Sequence, residues 1–116
     1  MRSNDERLQD IQESCELILN YMSRLSSGNR SEDEDVFHDA ILHQLTILGE
    51  AVVHVDPALK IKYPDIPWDT IKAFRNVLVH EYSSIRWDRV WDAVDRIPSL
   101  LQSVKEILRQ EYGAAE

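Results

Sequence analysis

At 116 residues, with 43% hydrophobic and 29% charged residues, the chain has the size and balance of one globular domain, expected over 1–116. Three glycines and four prolines argue against a turn-rich sheet protein, and no apolar run approaches the ~20 residues that cross a bilayer. The net charge of −8 excludes a generally basic, polyanion-coating surface.

Five helical stretches follow in order. The first runs from about Asn4 to Ser26, with Leu8, Ile11, Cys15, Ile18, Leu19 and Met22 at three/four spacing, and Ser26-Ser27-Gly28-Asn29 stops it. The N-terminus lacks the apolar core of a secretory signal. Cys15, the one cysteine, sits on the apolar stripe and reads as a small buried hydrophobe. With no internal disulfide possible, the cytoplasm is the expected location.

The second helix opens with Ser31-Glu32-Asp33-Glu34, a capping box in which the Ser31 hydroxyl and Glu34 carboxylate bond each other's free amides. Val36, Phe37, Ala40, Ile41, Gln44, Leu45, Leu48, Val52 and Val55 then form a wide apolar stripe. Ile47 and Ala51 lie off it, which suits a central helix or a contact between two copies. Asp56-Pro57 ends this helix, and Asp56 caps a short one over about Pro57–Lys62. An extended connector, Tyr63-Pro64-Asp65-Ile66-Pro67, leads to a helix ending near His80. The last helix is expected from about Trp87 to Gln110, its inner face carrying Val90, Trp91, Val94, Ile97, Leu101, Val104 and Leu108, with Pro98 kinking it. An all-α bundle is the architecture this pattern supports.

The charge is unevenly spread. Residues 1–35 hold nine acids and four bases, and 36–59 hold three acids and no base. Residues 60–96 hold seven of the 13 basic side chains against six acids, so a polyanion would have to be met there. Lys72, Arg86 and Arg89 are candidate phosphate contacts. Trp68, Trp87 and Trp91 suit core packing, with base stacking as the alternative. His38, His43 and His54 have no metal-ligand spacing, and Glu50 and His54, one turn apart, read as a surface pair.

Chemistry concentrates in Phe74-Arg75-Asn76-Val77-Leu78-Val79-His80-Glu81-Tyr82. Arg75 and Asn76 interrupt an apolar helix, and His80 follows Asn76 by four, on the same face with Arg75 at its margin. Guanidinium and imidazole among Val77, Leu78 and Val79 need an anionic partner or each other. One reading is a structural pair. The other is phosphodiester cleavage of RNA. In that reading His80 moves the proton of a ribose 2′-hydroxyl or of the leaving oxygen, Arg75 holds the phosphate, and Asn76 orients either. No metal is needed when the 2′-hydroxyl is the nucleophile. One histidine cannot easily be both acid and base, so two copies facing across a two-fold axis would complete the site.

The stretch Arg75 to Tyr82 carries an R-x4-H-x-Y pattern, and the chain resembles the HepT-type toxins, a branch of the HEPN superfamily of helical ribonucleases. The likeness includes Arg7-Leu8-Gln9-Asp10-Ile11, the segment Asp39 to Ala51, Pro64-Asp65-Ile66-Pro67-Trp68 and Val90-Trp91. It implies a HEPN-type antiparallel bundle of four main helices plus a short one, paired as a two-fold homodimer. It also implies a metal-independent endoribonuclease without cofactor, with Arg75, Asn76 and His80 catalytic in a cleft shared by two copies. A partner follows from the same resemblance: an MNT-type nucleotidyltransferase antitoxin, in a type VII-like pair, that moves AMP from ATP onto Tyr82. The RNA would be a tRNA or an mRNA. The alternative is a non-catalytic dimeric subunit that binds nucleotide or scaffolds a nucleotidyltransferase.

Overall fold

The computed structural model describes residues 2–27 and 30–113, with side chains over 2–25 and 36–113. The Gly28-Asn29 stop and the side chains of the Ser31–Glu34 capping box lie outside the described residues. Six helices follow one another: α1 (Asn4–Ser27), α2 (Arg30–Val53), α3 (Pro57–Lys62), α4 (Trp68–His80), α5 (Trp87–Asp95) and α6 (Ile97–Tyr112). A single 3₁₀ turn, Tyr82–Ser84, separates α4 from α5. Among the described residues no helix is long and apolar enough to cross a membrane.

The three/four apolar spacing of α1 puts Leu8, Ile11, Cys15, Ile18 and Leu25 in one buried row. Two residues separate α1 from α2, so the two 24-residue helices run antiparallel and pack along their length. On its other side α1 meets α6 through the row that includes Val104, Ile107 and Leu108. α2 is the central helix, covered by α1 and by α4. Its stripe buries Ile41, Leu45, Leu48 and Val52, with Val55 buried just past its end, and Ala51, off the stripe, is buried as well. Ile47 stays partly exposed, and Val36 is exposed rather than inside; Phe37 packs partly buried against the core, and the fully buried row starts at Ile41.

The short helix forms as expected. Asp56 Oδ1 accepts the Ala58 amide at 2.9 Å, and Pro57 occupies the first turn. Lys62 and Tyr63, at its end, both hold the Glu111 carboxylate, at 2.7 and 2.6 Å, which ties α3 to the end of α6. Gly113 closes α6 at φ 64°, a left-handed conformation that suits glycine.

The expected single helix from Trp87 to Gln110 is two. α5 stops at Asp95, and Arg96 bridges to α6 at φ −92° and ψ −6°. Pro98 sits in the first turn of α6. It has no N–H to donate and its ring collides with the carbonyl four residues back, so the helix breaks where a kink was expected. The bundle therefore has five helices of nine residues or more plus α3. α4 is anchored on α2, but between α4 and the α5–α6 arm an open groove of about 880 Å³ remains, floored by apolar side chains such as Ile71, Phe74 and Leu100.

Replacing Ile18, fully buried between α1 and its neighbours, by alanine should cost about 2–5 kcal/mol in denaturant unfolding. Val36→Ala, at a position 67% exposed, should change stability by less than about 0.5 kcal/mol. Equal effects at the two positions would contradict this placement of the core.

Candidate active site on the α2–α4 face

The connector expected to be extended is instead a turn at residues 64–65, closed by the Ile66 amide on the Tyr63 carbonyl at 3.4 Å; Pro67 then leads into α4, which Trp68 anchors. The Trp68 ring is buried and its Nε1–H donates to the Tyr63 carbonyl at 2.9 Å. Leu78 is buried one face along, with Ile71 and Phe74 packed on the core. This leaves the polar residues of α4 on its flanks and outer face.

Arg75 lies on the flank that meets α2, and a glycine makes room for it. A Cβ on Gly49 would come within 2.4 Å of Arg75 Cβ and 2.7 Å of its Cγ. The stem of Arg75 thus lies directly on the α2 backbone. The guanidinium extends to the next residue of α2, Glu50. Nε–H donates to Glu50 Oε2 at 2.9 Å, Nη2–H donates to the same oxygen, and Nη1–H donates to Asn76 Oδ1 at 2.7 Å. The other carboxylate oxygen, Glu50 Oε1, is 3.3 Å from His54 Nε2 one turn on. The Arg75 side chain is 21% exposed, that of Glu50 46%. Hydrogen bonds from Arg75 hold the Glu50 carboxyl below its ordinary range, against a smaller opposing effect of burial.

His80 stands elsewhere. It is the last residue of α4, exposed, and among the described residues it makes no hydrogen bond or ion pair. Five residues separate it from Arg75, about 140° around the helix. Within one chain Arg75 and Asn76 are therefore joined, while His80 projects from the outer face, one turn beyond Asn76. Tyr82 follows in the 3₁₀ turn and is 61% exposed.

The candidate phosphate contacts do not form one patch. Lys72 is exposed on α4, where its charge disfavours protonation of Lys60, whose pKa is lowered first by burial. Arg86 and Arg89 line the groove between α4 and α5–α6, but so do Asp65, Asp88 and Asp92, and Arg86 is bonded to Asp88 at 2.9 Å. The groove is not a cationic channel. The tryptophans pack: Trp68 is buried, and Trp87 and Trp91 flank the His38 ring at centroid distances of 4.5 and 5.3 Å. Among the described residues no group of histidine, cysteine or carboxylate side chains is arranged to hold a metal ion.

Sequence reasoning missed Gly49 and the reach of Glu50. The Glu50–His54 pair is where it was expected, on the surface, but its carboxylate also spans to α4. The signal was present: Arg75 needs an anionic partner, and a glycine inside an apolar helix marks a close approach.

The family model described as "Ribonuclease HepT-like" matches residues 11–107. A protein of Caldanaerobacter subterraneus subsp. tengcongensis named "Putative RNase TTE0752" is 30% identical over 112 residues, 96% of this chain and 99% of that one. "Probable ribonuclease HepT" of Thermococcus cleftensis is 31% identical over 100 residues, covering 85% and 90% of the two chains. No solved structure matches the chain at a significant level.

Gly→Ala inside a helix ordinarily stabilises by about 1 kcal/mol. At Gly49 the sign should reverse, because the added methyl meets the rooted end of the Arg75 side chain. Gly49→Ala should destabilise by about 1–3 kcal/mol in denaturant melts; a more stable variant would refute the close approach. The Glu50 carboxyl also offers a pH test. Its charged form is favoured by folding, so the pair contributes above the ordinary carboxylate range and is lost as pH falls through the lowered folded value. Followed by carboxylate NMR, Glu50 should titrate at higher pH in Arg75→Ala than in the parent.

Proposed function

The chain belongs to the HepT-like ribonuclease family, and from that premise we propose that it is a metal-independent endoribonuclease toxin whose cutting groups are Arg75, Asn76 and His80. The observation that carries this reading is the contrast on α4. Arg75 is held by two side chains, Glu50 and Asn76, while His80, one turn past Asn76, serves no structural bond among the described residues. An exposed imidazole with no bond to give up is free to take or donate a proton.

The reaction is an internal transesterification. The ribose 2′-oxygen attacks phosphorus, the bond to the 5′-oxygen breaks, and the products are a 2′,3′-cyclic phosphate and a 5′-hydroxyl. His80 takes the 2′-hydroxyl proton, and a second imidazole gives a proton to the leaving oxygen. The charge that grows on the phosphate oxygens falls to Arg75. Because each chain carries one such histidine, two copies paired across a two-fold axis would supply both the acid and the base. Val77 and Val79, both exposed on α4, are apolar surface that pairing would cover.

Control fits the same end of α4. Tyr82 is 61% exposed, so its hydroxyl is within reach of a modifying enzyme. An MNT-type nucleotidyltransferase acting as antitoxin would move AMP from ATP to that hydroxyl, releasing pyrophosphate. An adenylyl group two residues from His80 adds bulk and negative charge where RNA phosphate must approach. The RNA substrate in this reading is a tRNA or an mRNA.

The test is cleavage by the unmodified protein with EDTA present. The parent should leave 2′,3′-cyclic phosphate ends and lose specific activity on dilution to monomer. His80→Ala should fall about 10²–10⁴-fold and Arg75→Ala about 10²–10³-fold, with helicity unchanged. Absence of cleavage across tRNA and mRNA substrates, with Tyr82 free of AMP by mass spectrometry, would overturn the reading in favour of a binding or scaffolding subunit.

A further inference from the structure

The α2–α4 contact leaves Arg75 with a defined remainder. A guanidinium has five N–H donors in a rigid plane. Nε–H and one Nη2–H go to Glu50 Oε2, and one Nη1–H goes to Asn76 Oδ1. One N–H on each terminal nitrogen is left over. Both remain available to donate to the oxygens of a phosphate.

We infer that Glu50 is a positioning residue of the cleavage site, acting on the scissile phosphate through Arg75. The inference rests on the ribonuclease reading above, in which Arg75 holds that phosphate. Glu50 belongs to the central helix, and Gly49 beside it sets the depth at which the Arg75 stem lies on α2. His54, at 3.3 Å, steadies the far oxygen of the carboxylate. The guanidinium is therefore oriented before RNA arrives, and its orienting groups sit on two different helices, so it cannot swing without breaking all three bonds.

The same carboxylate has an opposite effect on binding. It places a negative charge one side chain from the bound phosphate, which weakens the ground-state grip of Arg75. Orientation and affinity should therefore move in opposite directions when Glu50 is removed. A role confined to holding α4 on α2 has no such signature, because loss of folded protein lowers the active fraction without tightening binding. A half-exposed ion pair also contributes little to stability.

The experiment compares Glu50→Ala and Glu50→Gln with the parent, using the full chain and an RNA the parent cuts. Glu50→Ala should lower kcat by about tenfold or more while KM stays level or falls. Glu50→Gln keeps an amide oxygen able to accept from Nε–H and Nη2–H, and should retain kcat within about fivefold. The Arg75 Nε–H resonance in ¹⁵N NMR should be seen in the parent and in Glu50→Gln, and be lost to solvent exchange in Glu50→Ala. Thermal midpoints report folding. The inference is overturned if Glu50→Ala keeps kcat within twofold, if its KM rises, or if the Arg75 resonance is unchanged. A parent that cuts RNA while Glu50→Ala cuts equally well defeats this inference alone. A parent that cuts no RNA defeats the ribonuclease reading first and this one with it.

Discussion

The close approach of α2 and α4 at Gly49 governs the rest of the candidate site. α4 is anchored on one neighbour and faces an open groove on the other side. Its rotation and height on α2 therefore decide where each of its polar side chains goes. Contact between the Arg75 stem and a bare stretch of helix backbone sets both. Trp68 and Leu78 fix the apolar side of the same helix, and the clasp by Glu50 and Asn76 fixes the polar side. Once these are satisfied, His80 has no direction left but outward.

Electrostatics gives that arrangement its meaning. A chain with a net charge of −8 offers RNA no long-range attraction. The groove beside α4 mixes arginines with aspartates, and Arg86 is already paired within it. Binding then depends on a few directed contacts more than on a cationic surface. Arg75 is suited to such a contact because its charge is partly balanced and its plane is held. The cost of desolvating it beside an apolar helix is met by Glu50 and Asn76, which leaves the guanidinium ordered rather than free to wander.

The outer half of the molecule follows from a single residue. Without Pro98 the α5–α6 arm could run as one long helix; with it, α5 turns off at Arg96 and its charged face looks across the groove toward α4. This leaves one flank of α4 uncovered, and that flank carries Val77, with His80 and the exposed Tyr82 at its C-terminal end. Histidine, tyrosine and bare apolar surface thus come together at one end of one helix. In the proposed reading, a second copy, an RNA and a modifying enzyme would all approach there.

Much of the fold was legible in the chain itself, because local forces set it. Three/four apolar spacing marked α1, α2 and the inner rows of α5 and α6, and Asp56-Pro57 marked the start of α3. Both follow from helix periodicity and capping chemistry acting within a few residues. The R-x4-H-x-Y stretch marked the helix that carries the candidate site. What the sequence by itself could not determine is whatever depends on the distance between helices. Periodicity placed Arg75 at the margin of the Asn76–His80 face, but it could not say that the anion it needs is Glu50, twenty-five positions earlier. It showed Gly49 as a glycine in a helix, and only the packing made it the seat of Arg75. Pro98 was read as a kink and became a break, with Arg96 bridging two separate helices and Pro98 in the first turn of the second. Local sequence decides which residues share a face. Tertiary packing decides which faces meet, and at Gly49 the absence of one methyl group makes that decision.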